Sequence, residues 1–305
     1  VRNIVAHSKG GHIQPVYGIG LEADLSEDLA PNLPGFRDSG PVRRGNQAAE
    51  HVQHDVYGQV VLGVSQSFFD RRLLAQPGIA EFEQLEPVGE RAFAVYDTPD
   101  AGIWEFRTIA HVHTSSAIMC WAACDRLSRI AERLGLDNRE AYWRERADII
   151  HETILEKAWN DDVKAFTAAF GGTDLDASVP LMAEIGFLPA SDPRYISTVE
   201  AVDRDLRMGD HVYRYKVEDD FGKPKTAFTA CTFWFIDALY RVGRVEEARN
   251  MFEAVLASRN HLGLLSEDVD PETNELWGNF PQTYCMVGII NSAALLSKPW
   301  AAVTG

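Results

Sequence analysis

The sequence alternates between two kinds of helix-forming segment, and this alternation restricts the fold more than any other feature. The first half of the segment 115–134, which reads AIMCWAAC, is apolar on every side, the segment 226–242 is nearly so, and the segment 281–296 is again apolar on every side. The segments that follow the first two, 139–159 and 245–258, each carry a single apolar stripe. A helix that is apolar all round is buried all round, whereas a striped helix lies outside and covers its neighbour. The sequence therefore predicts an all-α protein with two concentric layers of helices, an α/α toroid.

The rest of the chain predicts shorter helices and long irregular segments within one domain, residues 1–305. Gly and Pro interrupt residues 1–43 every few positions, and residues 76–103 also indicate a loop because of prolines such as Pro87. No stretch of comparable length alternates as a strand does, so a parallel sheet is not predicted. A helical-repeat solenoid is the rival fold, but no fixed period stands out. Further helices are predicted at 46–69, 176–185 and 197–205.

Charge and cysteine usage argue against several classes of function. The 305-residue chain has a net charge of −16, which disfavours a broad nucleic-acid footprint and adhesion to anionic membranes. No run approaches the ~20 apolar residues of a membrane span. The four cysteines fall inside apolar helical patterns, which is typical of buried, reduced thiols in a cytoplasmic protein. They are Cys120, Cys124, Cys231 and Cys285.

A toroid also predicts where chemistry takes place. The loops that lead into its inner helices converge at one end, so residues 101–113, 208–225 and 264–279 are expected to meet. The third loop opens the stretch LLSEDVDPETNELWGNFPQTY, which combines carboxylates, aromatic rings and the amide of Asn279, as a sugar site does. The alternative for this stretch is a solvated acidic loop closed by a turn at Asp270.

Two carboxylic acids on different loops suit hydrolysis of a glycosidic bond. Glu105 lies between Trp104 and Phe106, and desolvation by aromatic rings raises the pKa of a carboxyl group, as a general acid requires. Glu267 begins the third loop, so one acid would protonate the leaving oxygen while the other activates water or attacks directly. Sequence does not give their separation, so inversion and retention both remain open. Arg214, in the second loop, offers a planar set of donors to sugar hydroxyls or to a carboxylate.

A metal site is the weaker interpretation of one further cluster. His51, His54 and Asp55 fall on or near one face of the predicted helix 46–69. A lone cluster of this kind is more often a hydrogen-bonded structural group. We expect neither a metal nor another cofactor.

Four segments resemble bacterial members of glycoside hydrolase family 15, the glucoamylase-like enzymes that include glucodextranases and some trehalases. They read GPVRRGNQAAEHVQHDVYG, GIWEFRT followed by SSAIMCWAACDR, AFTACTFWFIDAL and GLLSEDVDPETNELWGNFPQTY, in the same order over nearly the whole chain. The resemblance implies an (α/α)6 barrel that hydrolyses α-glucosidic bonds with inversion and without a metal. It also implies that Glu105 is the general acid and Glu267 the general base.

The resemblance further implies a set of sugar-binding residues. Arg214, in YRY, is similar to the arginine that binds glucose at the cleavage subsite. Tyr17, in YGIG, and Trp104 resemble pocket-lining positions, and Arg43 and Trp277 complete the predicted set. The expected ligand is an α-linked gluco-oligosaccharide or disaccharide.

The chain also departs from the family pattern. Gly40 stands where many members have the first Arg of Arg-Pro-Val-Arg, so that sugar contact is missing or is supplied by Arg37 or Arg44. Ala117 replaces a lysine of many members, and both changes suggest a substrate other than starch. The chain has fewer helix-forming segments than an (α/α)6 barrel needs, and no Trp-x-Arg-Asp motif is present. We therefore expect an incomplete barrel, with the first helices missing, that an upstream segment or a second chain completes.

Three functions follow from these observations. The first is an exo-acting hydrolase that releases glucose from the non-reducing end of α-1,4, α-1,6 or α,α-1,1 linkages, the last being the trehalase reaction. The second is a non-catalytic toroid that binds a sugar or a protein partner. The third is a helical scaffold without a sugar role, which would have no ordered pocket between the three loops.

Overall fold

A computed structural model of the protein describes residues 3–5, 11–73, 76–220 and 222–297. Within them helices dominate and each strand is only two residues long. The helices used below are α1 (Asp55–Phe69), α2 (Ile79–Val95), α3 (Thr114–Leu134), α4 (Asp137–Lys157), α5 (Met182–Ile185), α6 (Pro193–Leu206), α7 (Thr229–Arg241), α8 (Val245–Ala257) and α9 (Thr283–Leu296). Single turns of 3-10 helix cover Phe36–Asp38, Gln47–Glu50 and Val179–Leu181.

The chain divides into two compact units, Val1–Thr153 and Ile154–Gly305.

The strands form small antiparallel sheets, as expected for a fold without a parallel sheet. The strands are β1 (Asp28–Leu29) with β2 (Arg43–Arg44), β3 (Trp159–Asn160) with β4 (Ala165–Phe166), β5 (Arg207–Met208) with β6 (His211–Val212), and the three-stranded set β7 (Ala227–Phe228), β8 (Asp268–Val269) and β9 (Leu276–Trp277).

The core of the first unit is α3, which packs against α1 and α2. Its buried residues run from Thr114 to Ala131 and lie on nearly every side of the helix, so the prediction of an all-round buried helix is confirmed. α4 is tied to α3 by an ion pair between Arg144 and the buried carboxylate of Asp125, with 2.9 Å between Nη1 and Oδ1. The indole nitrogen of Trp143 also donates to Glu86 of α2 at 2.9 Å.

The core of the second unit is α7, which packs against α8 and α9. The striped helix α8 buries Ala248, Met251 and Val255 on one face, as its pattern predicts. Its first turn joins an ion network, in which Arg207 lies 3.1 Å from Asp203 and 2.6 Å from Glu247. Arg244 contacts the same two carboxylates at 2.6 and 2.7 Å. This network fastens α6 to α8.

Two further predictions concern the cysteines and membrane spans. All four cysteines are buried free thiols, which confirms the prediction from their apolar surroundings. In the part of the chain that the structure describes, no helix has the length and apolar character needed to cross a membrane.

The prediction of a loop over residues 76–103 is wrong, because α2 occupies Ile79–Val95. α2 contains Pro87, which removes one helical hydrogen bond at a cost of about 3 kcal/mol. Its buried side chains, among them Phe82 and Leu85, each contribute about 1.5–3 kcal/mol. Burial therefore outweighs the proline, and the side chain of Glu81 accepts from the Gly78 N–H at 2.8 Å to cap the first turn.

The prediction of one helix over residues 46–69 is also wrong at its N-terminal end. A 3-10 turn covers Gln47–Glu50, and α1 begins only at Asp55. Between them, residues 52–54 make hydrogen bonds to the segment that begins at Asp100. An extended backbone presents these groups to a neighbouring segment, whereas a helix uses them internally. Tertiary hydrogen bonding thus overrides the apolar spacing.

The prediction that the segment 281–296 is buried on every side is wrong for α9. Tyr284, Val287 and Ile290 are 69%, 45% and 67% exposed, and they lie on one face of the helix. The opposite face buries Cys285, Ser292 and Leu296. Hydropathy predicts that an apolar helix face is buried, but it does not show whether residues of the same chain bury that face.

Asp237 makes the stability of the second unit depend on pH. It is a nearly buried residue of α7, and the Ser292 hydroxyl of α9 donates to its Oδ1 at 2.7 Å. Burial raises the pKa of Asp237 to about 6, and the charge of Glu184 raises it further, while Ser292 and Arg241 oppose the shift. A raised carboxyl pKa means that the folded state holds the proton more tightly than the unfolded chain. The resulting stabilisation is complete below about pH 4 and is lost as the pH rises through about 6.

We expect Asp237→Asn to raise the free energy of unfolding by on the order of 2 kcal/mol more at pH 7.5 than at pH 4. The amide keeps an acceptor for Ser292 and cannot ionise. Urea unfolding at the two pH values measures the difference. Asp148→Asn, at an exposed position of α4, is the control and should show no such pH dependence. An equal effect of Asp237→Asn at both pH values would contradict this assignment.

Candidate active site

Glu105 lies in a loop of the first unit that we call the acid loop (residues 100–113). The loop is closed at its base by two backbone hydrogen bonds between Asp100 and His111, at 2.9 and 3.2 Å. Glu105 itself is exposed and has a backbone φ of 59°. A residue with a Cβ pays a steric penalty in this left-handed region, and such strain persists only where the surroundings impose it. The acid loop therefore holds Glu105 in an imposed conformation.

The aromatic neighbours of Glu105 brace the loop and do not bury the carboxyl group, which corrects the expectation of a desolvated acid. Trp104 and Phe106 are half-buried, and Phe106 stacks on the buried ring of His113 with centroids 5.7 Å apart. The same His113 ring fits against Gly102, where φ is 65° and a Cβ would lie 2.7 Å from Cδ2. The Glu105 N–H donates to the Gly102 carbonyl at 3.2 Å. Only glycine fits this turn.

Glu27 joins the predicted sugar-binding residue Arg43 to the acid loop. Its Oε2 lies 3.1 Å from Arg43, and its Oε1 lies 3.2 Å from Arg107. Burial raises the pKa of Glu27, but the Gln47 N–H and the two guanidinium groups outweigh this effect and lower it. Glu27 therefore holds Arg43 in place. Sequence reasoning missed Glu27, because the sequence offers no signal that pairs it with either arginine.

The other predicted residues of the first unit lie on its surface. The Tyr17 hydroxyl accepts from the Gln14 N–H at 3.0 Å, and the residue is half-buried. Arg37 and Arg44, the two proposed substitutes for a missing family arginine, are both exposed. Arg44 lies 3.7 Å from Asp28, and Arg37 lies over the Phe36 ring at 5.5 Å.

The cluster His51, His54 and Asp55 does not form a metal site in the structure. Among the described residues, no group of three or more His, Cys, Asp or Glu side chains is arranged to hold a metal ion. Burial lowers the pKa of His54 to about 4, and its ring Nδ1 lies 3.5 Å from the Thr98 hydroxyl. Burial, together with the charges of Asp100 and Glu105, raises the pKa of Asp55 to about 7. Both side chains are therefore mainly neutral structural groups near pH 6.

In the second unit, the sheet β7–β8–β9 joins the predicted loop 264–279 to residues 227–228, which were predicted as the start of the helix 226–242. β7 leads into α7, and β8 and β9 belong to the stretch before α9. The register pairs Phe228 with Asp268 and Asp268 with Trp277. The loops 208–225 and 264–279 also meet, because His211 Nε2 lies 2.8 Å from Asn274 Oδ1. The predicted residue Trp277 lies half-buried in β9.

Glu267 immediately precedes β8 and is held through both its backbone and its carboxylate. Its N–H donates to the Asn279 carbonyl and its own carbonyl accepts from the Thr229 N–H, both at 2.9 Å. Its side-chain Oε2 accepts from the backbone N–H and from Nδ2 of Asn279, both at 3.0 Å. Both donors bind the same oxygen, so Oε1 accepts neither of these two hydrogen bonds.

Arg214 and Glu267 both act electrostatically on the carboxyl group of Asp268. Burial and the Glu267 charge raise the pKa of Asp268 to about 6, whereas Arg214 lowers it. The Arg214 guanidinium lies over the Tyr215 ring at 5.2 Å, with Nη2 3.4 Å from Asp219 Oδ2. Tyr215 also donates to that oxygen, at 2.6 Å. The second unit thus brings together a planar cation and several carboxylates, an arrangement that can bind hydroxyl groups of a sugar.

The remaining acids of the stretch are structural or solvated, as expected. Asp270 closes the predicted turn, because its Oδ1 accepts from the N–H groups of Glu272 at 2.8 Å and Thr273 at 3.1 Å. Glu272 is exposed. The Asp-Pro dipeptide was a sufficient signal for this turn.

Gly278 is a site residue that sequence reasoning missed. Its φ is 74°, and a Cβ there would lie 2.9 Å from Glu267 Oε2 and 3.0 Å from Glu267 Cβ. The preceding Trp277 and the following Asn279 flank this close approach. A Gly-Asn dipeptide after an acidic turn is a usable signal for a backbone that approaches a carboxylate.

If Glu267 is the base that the family resemblance implies, we expect Gly278→Ala to lower kcat for glycoside hydrolysis by about 10–100-fold. The methyl group displaces the Glu267 carboxylate, and small displacements of a reacting group have effects of this size. Gly263→Ala is the matched control: Gly263 also has a positive φ, of 81°, but a Cβ there meets nothing within 4 Å. Both variants carry the same backbone strain. Equal kcat values for the two variants would show that Gly278 has no role in placing Glu267.

Comparison with known proteins identifies the family. The model of the family described as glycosyl hydrolases family 15 matches residues 2–294. A trehalase of Thermoplasma volcanium is 31% identical over 295 residues, which are 95% of this chain and 46% of the relative. A trehalase of Mycobacterium tuberculosis is 36% identical over 287 residues, 92% of this chain and 41% of the relative. The chain thus spans about half the length of these curated relatives, or less.

Solved structures of glucoamylases share the fold. A bacterial glucoamylase complexed with acarbose aligns with a TM-score of 0.62 at 15% identity, over 83% of this chain and 50% of that one. A glucoamylase from Saccharomycopsis fibuligera gives a TM-score of 0.62 at 12% identity, over 80% and 70% of the two chains. These likenesses and the helix-rich structure show the fold class predicted from the alternating helices. The chain belongs to glycosyl hydrolases family 15 and has the (α/α)6-type helical fold of that family.

Proposed function

We propose that the protein hydrolyses α-glucosidic bonds from the non-reducing end with inversion, and that α,α-trehalose is its preferred substrate. The observation that carries the proposal is the hydrogen bonding of the Glu267 carboxylate, whose Oε2 accepts two hydrogen bonds from Asn279. This arrangement leaves Oε1 for proton transfer. The names of the relatives, which are trehalases, favour the α,α-1,1 linkage over α-1,4 and α-1,6.

The proposed reaction assigns one role to each of two acids. Glu105 donates its proton to the glycosidic oxygen as the bond from the anomeric carbon to that oxygen breaks. Glu267 takes a proton from a water molecule whose oxygen attacks the anomeric carbon from the opposite face, so the configuration inverts. The products are two sugars, the proton lost by Glu105 is replaced from solvent, and Glu267 returns its proton to solvent. No metal or other cofactor takes part in this scheme.

The sugar itself is bound by the remaining candidate residues. Arg214 is held over Tyr215 with its guanidinium near Asp219, which suits hydrogen bonds to glucose hydroxyls. Arg43 is placed beside the acid loop by Glu27. Trp104, Trp277 and Tyr17 supply the aromatic surface on which a sugar ring packs.

We also propose that an upstream segment or a second chain covers the exposed face of α9. The support for this part of the proposal is the exposure of Tyr284, Val287 and Ile290, which lie on one face of the helix. A contiguous apolar face of this kind marks an interaction surface. The buried free thiols support a cytoplasmic location.

A panel of disaccharides tests the proposed function. Purified protein is incubated with α,α-trehalose, maltose and isomaltose, and glucose release is followed enzymatically. We expect the highest kcat/KM with trehalose. Faster hydrolysis of maltose or isomaltose would overturn the proposed linkage, and binding of all three without glucose release would favour a non-catalytic sugar-binding role.

A further inference from the structure

The acid loop is fastened by one buried carboxylate, that of Asp100. Asp100 is 2% exposed, and its Oδ2 accepts two hydrogen bonds, from the backbone N–H of His54 and from the hydroxyl of Ser116, both at 2.8 Å. His54 is the N-terminal cap of α1, and Ser116 lies in the first turn of α3. A carboxylate is favoured at a helix N-terminus. The Asp100 side chain is hydrogen-bonded to residues at the N-terminal ends of two helices, α1 and α3.

Residues 100–102, at the start of the acid loop, are hydrogen-bonded to residues 52–54, which we call the strap. The Ala101 N–H donates to the Val52 carbonyl at 2.9 Å, and Gln53 Nε2 donates to the Gly102 carbonyl at 2.6 Å. Together with the bond from His54 to Asp100, each strap residue thus bonds one of residues 100–102. Gly102 in turn accepts from the Glu105 N–H. A continuous chain of hydrogen bonds therefore runs from α1 to the backbone of Glu105.

This fastening accounts for the imposed conformation of Glu105. A non-glycine residue at φ 59° relaxes unless its neighbours are fixed on both sides. Asp100 fixes the start of the loop, and the stacking of Phe106 on His113 fixes the side that follows Glu105. Glu105 is itself exposed and depends on this loop for its position.

We infer that Asp100 is the positioning residue for the general acid Glu105 and acts through the strap 52–54 and Ser116. The inference rests on the proposed function, in which Glu105 protonates the leaving oxygen. Asp100 touches neither substrate nor the reacting atoms. Its contribution is to keep Glu105 at the position and orientation from which proton transfer is fast.

A positioning role makes a prediction that a purely structural role does not. We expect Asp100→Asn to lower kcat on α,α-trehalose by about 10–100-fold with little change in KM, as for misplacement of a catalytic group. α-Glucosyl fluoride needs no proton on its leaving group, so its hydrolysis by the same variant should stay within about two-fold of the native protein. A general loss of structure would reduce both rates alike.

The double variant identifies the residue through which Asp100 acts. If Asp100 works by placing Glu105, Asp100→Asn adds no further loss on trehalose in a Glu105→Gln background, because residues that act as a unit are non-additive. Gln53→Leu, which removes one strap bond and no charge, should show the same selectivity with a smaller loss. Asp97→Asn, the same chemical change at an exposed position nearby, is the control with native activity.

Three results would overturn the inference: native kcat on trehalose for Asp100→Asn, equal losses on trehalose and the fluoride, or additive losses in the double variant. They differ from failure of the proposed function, which would appear as native activity of Glu105→Gln on trehalose. Circular dichroism and the thermal midpoint of each variant confirm that folded protein is being compared. If Asp100→Asn does not fold, Gln53→Leu decides the question by the same two-substrate comparison.

Discussion

Replacing Glu105 by glutamine is expected to lower kcat on α,α-trehalose by about 10²–10⁴-fold, the range that general acid catalysis contributes. Glutamine has nearly the same shape and keeps a hydrogen-bonding group, but it has no proton to give to the leaving oxygen. KM should change little, because the sugar-binding residues remain. Initial rates of glucose release over a range of trehalose concentrations measure both constants.

The choice of substrate makes the Glu105 result specific. Hydrolysis of α-glucosyl fluoride should be largely spared in Glu105→Gln, since fluoride leaves without protonation by a carboxylic acid. Glu83→Gln, at an exposed position of α2, is the matched control and should behave like the native protein on both substrates. Equal loss on trehalose and on the fluoride would assign Glu105 another role.

Replacing Glu267 by glutamine is expected to abolish turnover to a similar extent, about 10²–10⁴-fold, but on both substrates. The base activates water whichever group leaves, so a better leaving group does not compensate for its loss. The amide still accepts hydrogen bonds from Asn279, which bind Oε2 at 3.0 Å in the native protein, so the local structure is retained.

The matched control for Glu267 lies in the same stretch. Glu272→Gln removes a carboxylate from an exposed position of the turn closed by Asp270, and activity should be unchanged. If Glu267→Gln spared the fluoride while losing trehalose, Glu267 and not Glu105 would be the acid.

The helical fold could be predicted from the sequence because burial leaves a direct mark on helix hydropathy. α3 and α8 have the all-round and one-sided burial that their patterns indicate. α2 was missed because Pro87 was given more weight than the apolar spacing around it. The true start of α1 could not be predicted, because residues 52–54 make hydrogen bonds to a segment far along the chain.

The sequence predicted only those site residues that stand out by their own chemical type and immediate neighbours. Glu105 and Glu267 stand out as acids among rings and amides, and a contact between His211 and Asn274 joins two of the predicted loops. The residues that hold these acids have weaker signals. Asp100 resembles any acidic loop residue in the sequence, and Gly278 any turn glycine, because their roles depend on partners that only the folded chain supplies.

The stereochemistry of trehalose cleavage tests the central claim most directly, because it reports on an acid and a base acting from opposite faces of the sugar. Proton NMR of the first products, taken before the anomers equilibrate, resolves α- and β-glucose. Inversion produces one β-glucose from the attacked ring and one α-glucose from the leaving ring, so we expect equal initial amounts of the two anomers. Initial formation of α-glucose alone would show retention and would contradict the roles of Glu105 and Glu267.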